Sequence, residues 1–331
     1  MYFSFIIPVY NRPDEIDELL NSLLHQSYKD NFEIVIVEDG SKIICKDIVN
    51  KYINNLNLSY YFKQNSGPGD SRNYGMNVAK GDYFIILDSD CILPEDYLVE
   101  VDKYLNDNYV DCFGGPDAAH QSFSDVQKAI NQTMTSVLTT GGIRGASEKL
   151  GKFQPRSFNM GLSKDAFLAS GGFGKIHPGE DPDLSIRLWK MNFKTALIPN
   201  AYVFHKRRID WGKFYKQVNK FGKARPILNK RYPEYNKMTY WFPALFIIGL
   251  ICSVLLLFLG IKIALFLYIG YFFALFTESL IATRSLKISF LTIISTFIQF
   301  FGYGAGFLWS YFLLNIKKED PQRAMPEMFF K

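Results

Sequence analysis

Apolar stretches rich in β-branched and aromatic residues recur at Phe3–Val9, Phe32–Val37, Leu58–Phe62 and Tyr83–Leu87, each separated from the next by a helical pattern. Strands buried on both faces read as unbroken apolar runs, so the alternation predicts a mostly parallel sheet covered by helices on both sides, an α/β domain. The first helix is the clearest. Ile16, Leu19, Leu20, Leu23 and Leu24 repeat at i, i+3, i+4, i+7 and i+8 after the start signals Asn11 and Pro13. A second helix starts near Pro68 and ends by Lys80, with Gly81 as a left-handed cap; a third starts near Pro94 and Glu95, and another covers Asp181–Met191. Ligands of open α/β sheets bind beyond the carboxyl ends of the strands, where Tyr10, Asp39 and Asp88 all fall. The stretch from Asp111 to Tyr202 is less regular, and its loops, such as Thr139–Phe158, are expected to shape a second substrate pocket.

The pattern changes in the last third. Trp241–Leu259 is uncharged, Ile263–Thr283 is interrupted only by Glu278, and Ile288–Ile316 is again uncharged. Each approaches or exceeds the ~20 residues of a membrane-spanning helix. The last is longer than a straight crossing needs, so it tilts, or is broken or re-entrant at Gly302 to Gly306, which leaves two or three crossings. Residues 1–210 therefore read as the α/β domain, 211–240 as a basic amphipathic segment at a membrane surface, 241–316 as the membrane region and 317–331 as a polar tail. Glu278 lies near the end of its helix, where a carboxylate reaches headgroups or water.

Charge sharpens this picture. The formal net charge of +5 is concentrated: between Lys206 and Lys237 stand eleven Lys or Arg and only two acids. Placed just before the first apolar helix, this block puts the preceding domain in the cytoplasm by the positive-inside rule. A nucleic-acid partner would need a recognition motif, and none is present. The four cysteines show no close metal-ligand spacing, which argues against a disulfide framework or zinc site. The amino-terminal MYFSFIIPVYN is too short for an anchor and reads as no signal peptide.

The chemistry-bearing residues cluster at the ends of these elements. YFIILDSD ends an apolar strand in Asp88, Ser89 and Asp90, and residues i and i+2 of a strand converge on one cation unless the chain turns between them. Carboxylate oxygens suit Mg²⁺ or Mn²⁺ holding a diphosphate, although Asp-x-Asp also occurs as a plain turn. Asp39 ends the second strand in IVEDGS, as a ligand for an N–H donor or as a turn residue. Arg72 opens toward phosphate or carboxylate, since a guanidinium suits either. Glu180 and Asp181 open a helix, where acids are favoured by the macrodipole with or without catalysis. Gly172 lies in SGGF, whose small residues let a ligand approach the backbone. His205 ends the strand-like AYVFH and is a metal ligand or a structural histidine.

In order and spacing, FIIPVYN, IVEDGS, NSGPGDSRNYGMNVAKGDY, LDSD and SGGFGKIHPGEDPDLSIRL resemble the family 2 glycosyltransferases, nucleotide-sugar-dependent enzymes of the GT-A fold. The resemblance covers roughly the first 210 residues. It implies that Asp39 binds the nucleobase with the backbone around Pro8 and Tyr10, and that Arg72, Ser89 and Gly172 belong to the nucleotide-sugar site. It further implies Asp90 as a direct ligand of Mn²⁺ or Mg²⁺, Asp88 at the ribose or the metal's water shell, His205 as a third ligand, and Asp181, with Glu180 second, as general base. The activity expected is inverting transfer from a nucleotide sugar, a UDP-sugar by preference, to a hydroxyl of a lipid-linked or cell-envelope glycan at a bacterial cytoplasmic membrane. The alternatives are transfer to a polyprenyl phosphate, which needs no base, and a catalytically silent membrane scaffold of the same fold.

Overall fold

A computed structural model describes residues 1–118, 123–140, 152–206 and 210–330. Along the chain lie β1 (Phe3–Val9), α1 (Pro13–Leu24), β2 (Phe32–Asp39), α2 (Lys46–Tyr52), β3 (Leu58–Lys63), α3 (Pro68–Val78), β4 (Tyr83–Leu87), β5 (Cys91–Ile92) and α4 (Tyr97–Asp107). They are followed by β6 (Cys112–Gly114), β7 (Asp117–Ala118), α5 (Asp125–Thr135), α6 (Val137–Thr140), β8 (Asn159–Ser163), α7 (Lys164–Ser170), α8 (Glu180–Lys190), β9 (Thr195–Leu197) and β10 (Val203–His205). The remainder is helical: α9 (Trp211–Arg231), α10 (Phe242–Phe258), α11 (Ile263–Thr283), α12 (Leu286–Tyr311) and α13 (Pro321–Ala324).

The chain divides into two compact units: Met1–His120 with Ser147–Lys206 and Phe330–Lys331, and Gln121–Ala146 with Arg207–Phe329. The first is built on a seven-stranded sheet of order β3-β2-β1-β4-β8-β6-β9. β1 pairs in parallel with β2 and β4, and β8 is antiparallel to both β4 and β6. The apolar runs of the sequence have a direct cause in this sheet. Phe3, Phe5 and Ile7 of β1 and Ile85 and Leu87 of β4 pack into one core with α1, whereas Ile6, Phe84 and Ile86 point the other way into a core with Met76, Leu184 and Leu188. Alternate residues therefore feed two hydrophobic layers, and every position of β4 is buried.

A second, three-stranded sheet of order β5-β10-β7 grows from the end of β4. In it His205 pairs with Cys91 across an antiparallel register. That pairing, between residues far apart in sequence, decides where the candidate ligands meet.

In the second unit α12 is the central helix. Among the described residues three helical stretches are long and apolar enough to cross a membrane, Met238–Phe258, Ile263–Thr283 and Leu286–Ile316; half of the most apolar window of the last is buried, against 22% and 11% for the others. The open choice between a tilted and a broken last segment resolves as a continuous helix through Gly302, Gly304 and Gly306. These glycines are points of close helix approach: a side chain at Gly306 would run into the Asn219 carbonyl of α9, and one at Gly304 would press on Pro243 and Ala244 of α10. The basic helix α9 packs along α12, with Phe214, Val218, Gly222, Ala224 and Leu228 buried, Asn219 donating to the Gly302 carbonyl at 3.0 Å and the Ser310 hydroxyl donating to the Lys223 carbonyl at 2.9 Å. Helix α5 joins this unit, its Thr133 hydroxyl donating to the Thr292 carbonyl at 3.2 Å. Glu278 does not stand alone, since the Ser136 hydroxyl donates to its carboxylate at 2.5 Å.

Candidate active site

The carboxyl ends of β1, β2 and β4 deliver the candidate residues to one edge of the sheet of the first unit. Asn11, with φ +54, turns the chain out of β1; its amide donates to the Ser41 hydroxyl at 2.7 Å, and its side-chain oxygen accepts from Lys42 N at 2.7 Å and Ile43 N at 3.1 Å. The turns after β1 and β2 are thereby tied together, leaving Tyr10 half exposed between them. Pro8 sits within β1 opposite Val37.

Asp39 is buried at the end of β2. One carboxylate oxygen accepts from Lys63 Nζ at 2.7 Å and from the Ser66 amide at 3.0 Å, and the other accepts from the Gly67 amide at 2.9 Å. A carboxylate oxygen has two acceptor positions, so the second oxygen retains one for a ligand N–H. Asp39 thus organises the β3–α3 loop.

After β4 the chain turns at Ser89 and Asp90, closed by the Cys91 amide donating to the Asp88 carbonyl at 3.2 Å. The turn parts the two carboxylates, which in an extended strand would have faced one way. Asp88 accepts from Arg72 Nη2 at 2.7 Å. Asp90 accepts from Arg12 Nη1 at 2.8 Å, and its other oxygen lies 3.2 Å from His205 Nε2. Ser89 is buried between them. Ligand atoms of Asp90, Cys91 and His205 lie within 4.8 Å of one another, and Asp88 is not in that group. Asp90 and His205 share this group while Asp88 lies outside it beside Arg72, because the chain turns at Ser89.

Within the group the donors are unequal. Burial pushes the Cys91 thiol well above its ordinary value, so it stays protonated, and its sulfur donates to the Phe158 carbonyl at 3.3 Å. Asp90 and His205 are the better pair, a carboxylate and an imidazole, donors that fit a divalent cation such as Mn²⁺. Phe158 stacks on the His205 ring at 4.7 Å, and Asp117 lies 3.9 Å from Nδ1, so the imidazole is held in orientation.

Arg72 is the hub of the opposite wall. Its buried guanidinium reaches Asp88 through Nη2 and Glu180 Oε1 through Nη1 at 3.3 Å, and lies 5.2 Å over the Phe173 ring. Burial works against its charge, but Asp88, Glu180 and Asp181 outweigh it and hold the guanidinium above its ordinary value. His177 Nδ1 sits 2.9 Å from the same oxygen of Glu180. Burial pushes Glu180 up, yet His177 and Arg72 prevail and bring it down to about 2. Asp181 moves the other way, raised by burial and by the Glu180 charge beside it. One of its carboxylate oxygens is buried with no hydrogen-bond partner among the described residues. The two adjacent acids are thus driven apart, one firmly ionised and one with elevated basicity, as acid–base sites are.

The SGGF loop is fixed from both sides. Asn73 donates to the Phe173 carbonyl at 2.9 Å and accepts its amide at 2.8 Å, while Arg187, paired with Asp183 at 2.9 Å, donates to the Ser170 and Gly172 carbonyls, each at 2.6 Å. Gly172, at φ +72, has room for no side chain because Asn73 fills the position of a Cβ.

The structure thus brings Asp39, Arg72, Asp88, Ser89, Asp90, Glu180, Asp181 and His205 to this end of the first unit, with Pro8, Tyr10 and Gly172 in the flanking turns and strand. Residues 141–151 of the expected pocket loop lie outside the described residues. Arg12, Lys63 and His177 went unnoticed in the sequence. Arg12 was findable as a cation following the first strand, at the edge where carboxylates gather. His177 stands three residues before Glu180, a spacing that puts it at the mouth of α8.

The model of glycosyl transferase family 2 matches residues 4–167. The poly(ribitol-phosphate) beta-N-acetylglucosaminyltransferase TarS of Staphylococcus aureus is 38% identical over 114 residues, 34% of this chain and 20% of that protein. The poly(ribitol-phosphate) beta-glucosyltransferase of Bacillus spizizenii is 35% identical over 115 residues, 34% of this chain and 18% of that protein. The matches therefore span about a fifth of the length of these relatives. Among solved structures, the mannosyltransferase PcManGT of Pyrobaculum calidifontis, in complex with GDP-Man and Mn²⁺, superposes with a TM-score of 0.60 at 15% identity, covering 93% of this chain and 87% of that one. Residues 1–349 of S. aureus TarS, in complex with UDP-GlcNAc, give 0.50 at 18% identity, covering 93% and 91%. The fold is GT-A.

Proposed function

The chain belongs to glycosyl transferase family 2 through residues 4–167, and from that premise we propose that it is an inverting, divalent-metal-dependent enzyme moving a sugar from a UDP-sugar to a hydroxyl of a lipid-linked or cell-envelope glycan. The observation that carries the proposal is the buried oxygen of Asp181 that has no hydrogen-bond partner among the described residues, with raised basicity, beside a Glu180 locked down by Arg72 and His177. A general base needs an open acceptor position and an elevated value, and Asp181 has both.

In this reading Asp39 takes the imide N–H of the base on its remaining lone pair, beside Pro8 and Tyr10. Arg72 couples the two halves, holding Asp88 on the donor side and Glu180 on the acceptor side, so that a shift in one is felt by the other. Asp181 removes the acceptor hydroxyl proton as that oxygen attacks the anomeric carbon from the face opposite the leaving diphosphate. Glu180 remains ionised and fixes the start of α8. Asp90 and His205 would hold the metal, which when bound supplies Lewis-acid stabilisation of the departing diphosphate. Arg12, on the other oxygen of Asp90, adds positive charge to the same corner.

The envelope acceptor is supported by the relatives named as poly(ribitol-phosphate) glycosyltransferases. A cytoplasmic face at a bacterial membrane is supported by the three apolar helical stretches and the basic block before them. The test is a panel of nucleotide sugars with Mn²⁺ scored for nucleoside diphosphate release, using Asp90→Ala as the blank. A blank that releases as much as wild type would defeat the metal assignment, and no release from any donor would defeat the activity.

A further inference from the structure

Phe330 belongs to the first unit, although the residues before it belong to the second. Its amide donates to the Lys175 carbonyl at 2.9 Å, and its ring lies 5.3 Å from the His177 ring at 42°. The same ring presses on Gly67, where a Cβ would run into it, and Gly67 has φ +98, a conformation that strains any other residue. The two loops that Phe330 touches each bond a residue of the site. The Gly67 amide donates to Asp39, and His177 pairs with Glu180.

We propose that Phe330 is a substrate-contacting residue that strengthens donor binding, an aromatic wall against which the nucleobase and ribose end of the donor packs. This rests on the reading of Asp39 as the base-binding carboxylate. A ligand held by the free acceptor position on Asp39 lies beside Gly67, and Phe330 covers Gly67. The ring is only half buried, so it keeps surface for a ligand. It brings no hydrogen-bonding side chain, so it leaves the polar functions of Asp39 and Glu180 to the substrate, as a wall does and a substrate-mimicking plug does not. Planar bases gain from stacking on aromatic faces whatever their sequence of polar groups, so the contact would strengthen binding of the nucleotide end without choosing the sugar.

The test uses the full chain in detergent micelles and UDP with Mn²⁺ as the probe. Phe330→Ala is expected to raise the Kd for UDP roughly tenfold, the low end of what base stacking on an aromatic contributes. Phe330→Tyr should bind UDP within about threefold of wild type, since it keeps the ring face. In turnover the loss should fall on donor KM more than on kcat. Tighter UDP binding by Phe330→Ala would mean that the ring is a plug, and unchanged binding with a lowered melting temperature would mean that it only fastens the chain; either overturns the proposal. Asp39→Asn separates this from the parent reading: if it abolishes UDP binding while Phe330→Ala does not weaken it, the donor site stands and the wall falls. If wild type binds no UDP at all, both fall.

Discussion

Replacing Arg72 by Gln removes the cation that, among the described residues, bonds both Asp88 at 2.7 Å and Glu180 at 3.3 Å, while keeping a polar side chain of similar reach. The Asp88 side chain is 34% exposed, so solvent screens it and its loss is discounted. Glu180 is different. Its side chain is 7% exposed, and leaving one member of a buried pair without its partner costs about 3 to 5 kcal/mol. His177 still faces the same oxygen, which favours the lower figure, about 3 kcal/mol, or roughly 6 to 12 °C in the melting temperature of a unit of this size. The sign of the pH dependence follows. In wild type, Glu180 is held down to about 2, so its contribution is present above the ordinary carboxylate value and disappears only as the pH falls toward 2. In the variant, burial is opposed by less charge, and Glu180 takes up a proton at a higher pH. The stability gap between the two proteins should therefore be widest above about pH 6 and narrow as the pH falls toward 4. Thermal unfolding followed by intrinsic fluorescence across that range reads the gap. A destabilisation below about 1 kcal/mol, or a gap that widens on acidification, would refute the account of Arg72 as the buried counter-charge of Glu180.

Three further outcomes are expected. Arg12→Gln frees the Asp90 oxygen now held at 2.8 Å and removes a competing positive charge, so the Mn²⁺ concentration for half-maximal diphosphate release should fall; an unchanged or higher requirement would place the cation away from Asp90. Asp39→Asn replaces an acceptor oxygen by an amide that opposes either the Gly67 amide or Lys63, costing about 1 to 3 kcal/mol of stability and at least tenfold in nucleotide affinity, checked by melting and by titration calorimetry. Gly222→Val drives a side chain into the Tyr303 carbonyl where α9 meets α12, and should lower the yield and melting temperature of the detergent-extracted protein; wild-type behaviour would mean that the two helices do not need that approach.

The four long strands were legible because each feeds two cores at once, which leaves no polar position inside Phe3–Val9 except Ser4 and none in Tyr83–Leu87 other than the hydroxyl of Tyr83. Helix α1 was legible because one face alone is buried. Residues of the site that end these elements, such as Asp39, Asp88 and Glu180, could be placed by the same reasoning. Short strands β5, β7 and β10 could not be, since two or three residues carry no periodicity, and their pairing is what sets His205 beside Asp90. Nor does a local pattern show that α5 packs with the C-terminal helices or that Phe330 returns to Gly67; both depend on contacts between distant positions. The apolar run ends at Leu87, and whether Asp88 and Asp90 face one way depends on a bend that no periodicity specifies; the Asp88 carbonyl accepts from the Cys91 amide and closes that turn.

The most direct measurement of the central claim is steady-state turnover of the best donor found in the panel, wild type against Asp181→Asn, from pH 5 to 8. Wild-type activity should decline on the acid side as Asp181, raised by burial and by Glu180, takes up a proton. Asp181→Asn should lose roughly a hundredfold or more in kcat, with donor KM within about threefold and no acid limb left to titrate. An Asp181→Asn enzyme that keeps most of its kcat and the same acid limb would contradict the assignment of Asp181 as the base.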